Sequence, residues 1–161
     1  MGEFLSRLIH YIAQSWPAIV ALCILAFWSG LAGYWTAERE PPLRVDDIQV
    51  LTPTVHAGEK LRVQSTVSRS GPCELTVGRV IIDSDRVLFR IESDFYPAGR
   101  SEVGSAETFI QKTPVPRAAQ IGPARLRETL VHVCNPIHRI WPVTQRLPDM
   151  LFYIEAVPVL D

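Results

Sequence analysis

His132, Cys134 and His138 fall within seven residues of one another, and Cys73 lies upstream of them. Imidazole and thiolate are zinc ligands, so His-x-Cys-x3-His with Cys73 as a fourth donor has the composition of a tetrahedral site. A cysteine beside a histidine is also the raw material of a thiol nucleophile. Neither pattern is completed. No CxxC pair exists, and no nucleophile elbow or oxyanion-hole signature accompanies the cysteine. Cys73 opens one candidate strand and Cys134 closes another, which reads more simply as a disulfide. That bridge would close a loop of about 62 residues, for which loop-closure entropy gives about 4 kcal/mol. Asp83-Ser84-Asp85 resembles the start of a calcium loop, but the Gly and Glu that complete one are missing. It reads as a hairpin turn. Cys23 sits in an apolar segment and is expected to act as a small apolar residue. No catalytic residue, metal or cofactor is expected.

The charge balance narrows the partners. Sixteen basic residues face seventeen acidic ones, for a net charge of −1. Most of the basic residues are arginine, scattered among acids, and no basic patch interleaved with aromatics is evident. Nucleic-acid binding is therefore not expected. With 161 residues, 47% hydrophobic and 20% charged, the chain suits one ordinary folded domain rather than a disordered segment.

The elements that must position these residues divide into two kinds. No charge occurs between Arg7 and Glu38. Residues 16–37 are long and apolar enough for a transmembrane helix, with Trp16 at one end and Tyr34-Trp35 at the other as an aromatic belt. Ser15 is the expected cap and Pro17 the first-turn proline. A cleaved signal peptide would need a stronger positive n-region and a shorter apolar stretch, although Gly30-Leu31-Ala32 has the form of a cleavage site. Residues 1–15 place Phe4, Leu8 and Ile12 on one stripe, as an interfacial amphipathic helix would. An upstream extension of the membrane helix explains them equally well. Ala26, Gly30 and Gly33 share a face at i, i+4 and i+7, which suits a homodimer formed through the helix. Arg7 on one side and Arg39 and Arg44 on the other leave the orientation undecided by charge.

Residues 38–44 form an expected polar stalk ending near Pro41-Pro42, which stop a helix. From 45 to 161 the pattern becomes short runs rich in Val, Ile, Leu, Thr and Phe. Leu61, Val63, Ser65 and Val67 lie on one face of such a run, and Arg62, Gln64, Thr66 and Ser68 on the other. Turn signals at His56-Ala57-Gly58, Ser70-Gly71-Pro72, Pro97-Ala98-Gly99 and Ile121-Gly122-Pro123 separate the runs. The expectation is an all-β, immunoglobulin-like sandwich of about seven strands behind a single N-terminal transmembrane helix.

Three stretches carry a family likeness: Tyr34-Trp35 followed by Pro41-Pro42; His56-Ala57-Gly58-Glu59; and Cys134-Asn135-Pro136-Ile137-His138-Arg139-Ile140-Trp141-Pro142. Together, from about Tyr34 to Trp141, the chain resembles small membrane proteins of tailed bacteriophages and prophages of Gram-negative hosts, a group without an assigned activity. The most specific element is the CN-x-x-H-x-x-WP signature. The group carries a tyrosine two residues before the signature cysteine. His132 stands there in this chain, so a tyrosine corner is not expected. The resemblance implies a phage or prophage origin and a location in the host envelope.

Asn135, His138, Trp141 and Pro142 are expected to form a structural motif, with Trp141 anchoring the core beside the bridge and His138 bonding to a nearby carbonyl. The disulfide would place the C-terminal domain in an oxidising compartment, the periplasm, with the helix in the host inner membrane. The function expected is binding of an envelope or virion protein without catalysis. The alternative is a structural or assembly component of the virion.

Overall fold

The structure is a computed structural model that describes residues 2–99 and 103–156, with side chains from residue 15 onward. The chain forms two compact units, Met1–Arg39 and Glu40–Asp161.

The first unit is one helix, α1 (Gly2–Ala37). Its segment Ser15–Ala37 is long and apolar enough to cross a membrane. The helix does not begin at Ser15, because Pro17 lies inside it. A proline removes one backbone donor, and here the helix runs on at both sides of that single gap. Residues 2–15 are thus an upstream extension of the helix. The stripe of Phe4, Leu8 and Ile12 lies outside the described side chains.

Among its described residues the second unit has nine strands in two sheets: β1 (Leu43–Val50), β2 (Thr54–His56), β3 (Lys60–Arg69), β4 (Glu74–Ile82), β5 (Leu88–Tyr96), β6 (Ala106–Pro114), β7 (Gly122–Val133), β8 (Val143–Arg146) and β9 (Met150–Glu155). The smaller sheet has the order β1-β3-β6, and the larger has the order β2-β9-β7-β4-β5, with β8 also paired to β7. The early residues of β7 pair with β9 and the later ones with β8, so β8 and β9 share one side of this twelve-residue strand. The count exceeds the expected seven because β2 and β8 span only three and four residues, too few for alternation to show. The expected stalk is also shorter than 38–44. Leu43 is buried in the core, and the Pro42 carbonyl accepts hydrogen bonds from the Ser70 backbone N–H and hydroxyl.

Period-two alternation decides what faces inward. On β3, Leu61, Val63, Ser65 and Val67 are the buried face, as their spacing demands. On β4 the inner residues include Leu75, Val77, Arg79 and Ile81; on β7 they include Leu126, Glu128, Leu130 and His132. The apolar members form two clusters. One includes Leu61, Val63, Ile81, Leu126 and Phe152; the other is Leu43, Val67, Leu75, Val77, Leu130 and Leu147.

The β4–β5 turn is held by Asp83. Its Oδ1 accepts from the backbone N–H of Asp85 and Val87, and its Oδ2 accepts from Gln120 N–H at 3.0 Å. One carboxylate therefore closes the hairpin and pins a distant loop. Burial would raise its pKa, but the three N–H donors more than offset this and hold it below the ordinary value. At the β8–β9 turn, the Arg127 hydrogen bond, opposed by desolvation and reinforced by Arg146, brings Asp149 to about 2.

Depressed carboxylate pKa values fix the sign of a pH effect. The stability they contribute is complete above the unfolded-state value near 3.8 and is lost as pH falls toward about 2 for Asp149. Asp149→Asn should flatten part of the decline in thermal stability between those limits. Asp83→Ala should cost about 1–3 kcal/mol at neutral pH through its orphaned N–H groups. Denaturation of the full chain across the pH range checks both.

Candidate functional site

β4 and β7 pair antiparallel with Arg79 opposite Glu128. Both point inward, because their neighbours two residues away are core apolar residues, and both are buried (7% and 3% exposed). Arg79 Nε donates to Glu128 Oε1 at 2.8 Å, its Nη2 donates to Gln111 Oε1 at 3.0 Å, and its Nη1 donates to Asp94 Oδ2. Gln111 Nε2 also donates to Glu128 Oε1. With Ser65, these side chains form a polar layer between the two apolar clusters. Val63 and Val67 lie to either side of it on β3, Val77 and Ile81 on β4, and Leu126 and Leu130 on β7. Burial alone would lower the Arg79 pKa. The hydrogen bond that Arg79 donates to Asp94 and the charge of Glu128 more than offset it, so the guanidinium stays charged, with its pKa raised.

On one side of this layer lies a cavity of about 280 Å³ between the sheets. Its walls include Leu43, Val67, Val77 and Leu130, and Ser65, Arg79, Gln111 and Glu128 form one end. Arg69, Leu75 and Tyr96 mark the other. Phe109 of β6 also lines it and is 42% exposed, so the cavity opens past β6.

Cys73 and Cys134 are joined, with Cα atoms 4.4 Å apart. Glu74 pairs with Val133, so the cysteines are the next pair of the same β4–β7 ladder. The bridge occupies both sulfurs, which removes them from any ligand set or nucleophile role. Cys23 is a free, exposed thiol on α1. Among the described residues no group of three His, Cys, Asp or Glu is placed to hold a metal ion. Asp83-Ser84-Asp85 is a hairpin turn whose first carboxylate is spent on backbone donors.

After the bridge, Pro136–Arg139 form a single 3-10 turn. Asn135 caps it, its Oδ1 accepting from Ile137 and His138 N–H, both at 3.1 Å. His138 is 1% exposed. Its Nδ1 accepts from Cys134 N–H at 3.3 Å, and its Nε2 lies 3.2 Å from Asn135 Nδ2. The ring therefore fastens the turn to the bridge through a backbone donor. Trp141 corrects an expectation. It is 60% exposed and does not anchor the core; Ile140 beside it is 89% exposed. Both N–H groups bond back to the Ile137 carbonyl, and this tight turn carries the two side chains outward before Pro142 leads into β8. His132 is buried, and desolvation followed by the nearby Arg69 charge lowers its pKa, with Gln145 opposing. Ala26, Gly30 and Gly33 lie on α1, where a Cβ added at either glycine meets nothing within 4 Å.

Sequence reasoning missed the Arg79–Glu128 pair. A signal was present: each falls in the apolar phase of its strand, and the two charges are opposite.

No protein-family model matches the chain, and no curated protein matches it. Among solved structures, the chain is similar to the Pseudomonas fluorescens alkylpurine DNA glycosylase AlkC bound to DNA containing an abasic site analog, at 14% identity and a TM-score of 0.41. The similarity covers 73% of this chain and 31% of that one. It is also similar to Spo0M, a sporulation control protein of Bacillus subtilis, at 14% identity and a TM-score of 0.42, over 73% of this chain and 51% of that one. The chain thus spans from about a third to about half the length of these structures.

Removing one member of the buried pair should be far worse than removing both. Arg79→Met leaves Glu128 charged and unpaired and should cost about 3–5 kcal/mol. Adding Glu128→Leu should recover most of that loss. Denaturant unfolding of the full chain, singly and doubly substituted, measures the coupling.

Proposed function

We propose that this chain is a phage- or prophage-encoded bitopic membrane protein, anchored by α1 in the host inner membrane. Its immunoglobulin-like domain stands in the periplasm and binds an envelope or virion protein, without catalysis. The apolar length of Ser15–Ala37 supports the anchor. The Cys73–Cys134 bridge supports an oxidising compartment.

The observation that carries the binding role is the open edge of β6. Edge strands expose unpaired backbone groups and are normally blunted. Among the described residues five strands pair on one side only: β1 and β6 in the smaller sheet, and β2, β5 and β8 in the larger. β1 is interrupted by a bulge at Asp46. β2 and β8 are only three and four residues long. β5 has a bulge opposite Gly78. β6 has none of these features: all nine residues pair with β3 in unbroken register, from Lys60↔Pro114 to Ser68↔Ala106. No described strand pairs with its other side, and Phe109 and Ile110 are exposed. Such an edge accepts an extended segment of a partner as an added strand. Main-chain bonds supply affinity, and alternate side chains supply specificity.

In-cell photo-crosslinking tests this reading. A probe at Thr108 should give a protein adduct in the envelope fraction, and a probe at Arg62, in the middle of β3, should not. Ile110→Asp should lower the adduct yield at least about tenfold if the edge is the docking element. Equal yields from Thr108 and Arg62, or none from Thr108, would refute the β6 edge.

A further inference from the structure

Close-packed interiors leave few voids larger than a water molecule, yet this domain holds about 280 Å³ between its sheets. An apolar cavity of about 150 Å³ takes up benzene, so this one admits a chain on the order of ten carbons. It is elongated along the strands. Ser65 lines one end and Arg69 the other, and four residues of extended chain span about 13 Å. The two ends differ chemically. At the inner end each Arg79 nitrogen already has an acceptor, on Glu128, Asp94 or Gln111, and the carboxylates there repel an anion. At the outer end Arg69 has a buried Nε without a hydrogen-bond partner.

We infer that this cavity binds a single acyl chain with an anionic head, of the fatty-acid class. The tail lies between Val67, Val77 and Leu130, and the carboxylate accepts from Arg69. Entry is past Phe109, the half-exposed wall residue. Glu107, an exposed acid on the same lining opposite Val67, weakens the site. Its neutralisation should tighten binding. The inference does not rest on the partner-binding reading, because the ligand occupies the inner face of β6 and leaves its outer backbone edge open.

The test uses the full-length protein in phosphatidylcholine nanodiscs and a diazirine-bearing dodecanoate, with adducts mapped by peptide mass spectrometry. Adducts are expected on the peptides carrying Val67, Val77 and Leu130. Excess unlabelled dodecanoate should abolish them, and dodecanol should compete at least about tenfold less well if the charged head is recognised. Arg69→Gln should erase that preference, and Glu107→Gln should raise labelling. Leu130→Phe should reduce cavity labelling while the 73–134 bridge and protease resistance persist. The competition arm needs no variant, so a misfolded substitution does not obscure the result. Labelling confined to α1, or cavity labelling that dodecanoate does not displace, would overturn the site. Equal competition by dodecanol would overturn the anionic head. Exclusion of dodecanoate by the excess nanodisc phospholipid would overturn the single-chain ligand.

Discussion

Arg79 and Glu128 meet inside the sandwich because β4 and β7 pair in one register, and much else follows from that register. A slip of one residue would turn the inner set of the slipped strand outward. It would also bury an unpaired charge, for which hydrophobic burial nearby offers no compensation. The same ladder, continued, brings Cys73 opposite Cys134. A charged pair in the middle and a covalent bond at the end thus specify one alignment twice. The polar layer also divides the apolar core into two clusters, and one of these encloses the cavity.

The bridge organises what comes after it. Asn135 and His138 complete a small hydrogen-bonded unit around Cys134, which holds the chain in a tight turn where it leaves the centre of the sheet. Pro136 and Pro142 bracket the turn and keep it from extending into a strand. The exposed Ile140 and Trp141 follow from this geometry. The segment is fixed through its backbone and the imidazole, so its largest aromatic side chain is not needed for packing.

Much of this was legible from residue order alone. The apolar segment ending at Ala37, the inward face of β3, the turn at Asp83 and the Cys73–Cys134 pair are local patterns or follow from few alternatives. The strand count was not legible, because β2 and β8 are too short to show a period. The start of α1 was misplaced because a proline suited to a first turn also fits inside a long apolar helix. Trp141 was misassigned because size suggests burial, while the hydrogen bonds of the preceding turn decide direction. The Arg79 layer depends on which strands are neighbours. Its members Ser65, Arg79, Asp94, Gln111 and Glu128 come from five strands, and sequence proximity does not bring them together.

The disulfide also has a mechanical meaning. It ties β4 to β7 within the larger sheet, whereas the chain enters the domain at Leu43 on β1, in the smaller one. A pull applied at residue 42 is transmitted first to the bonds its carbonyl accepts from Ser70, and then to the β1–β3 ladder, beginning at the Leu43↔Arg69 pair. The covalent cross-link lies off that load path. Resistance to traction therefore resides in a non-covalent ladder that can open and re-form, while the cross-linked sheet keeps its alignment as a template for β1 to return to.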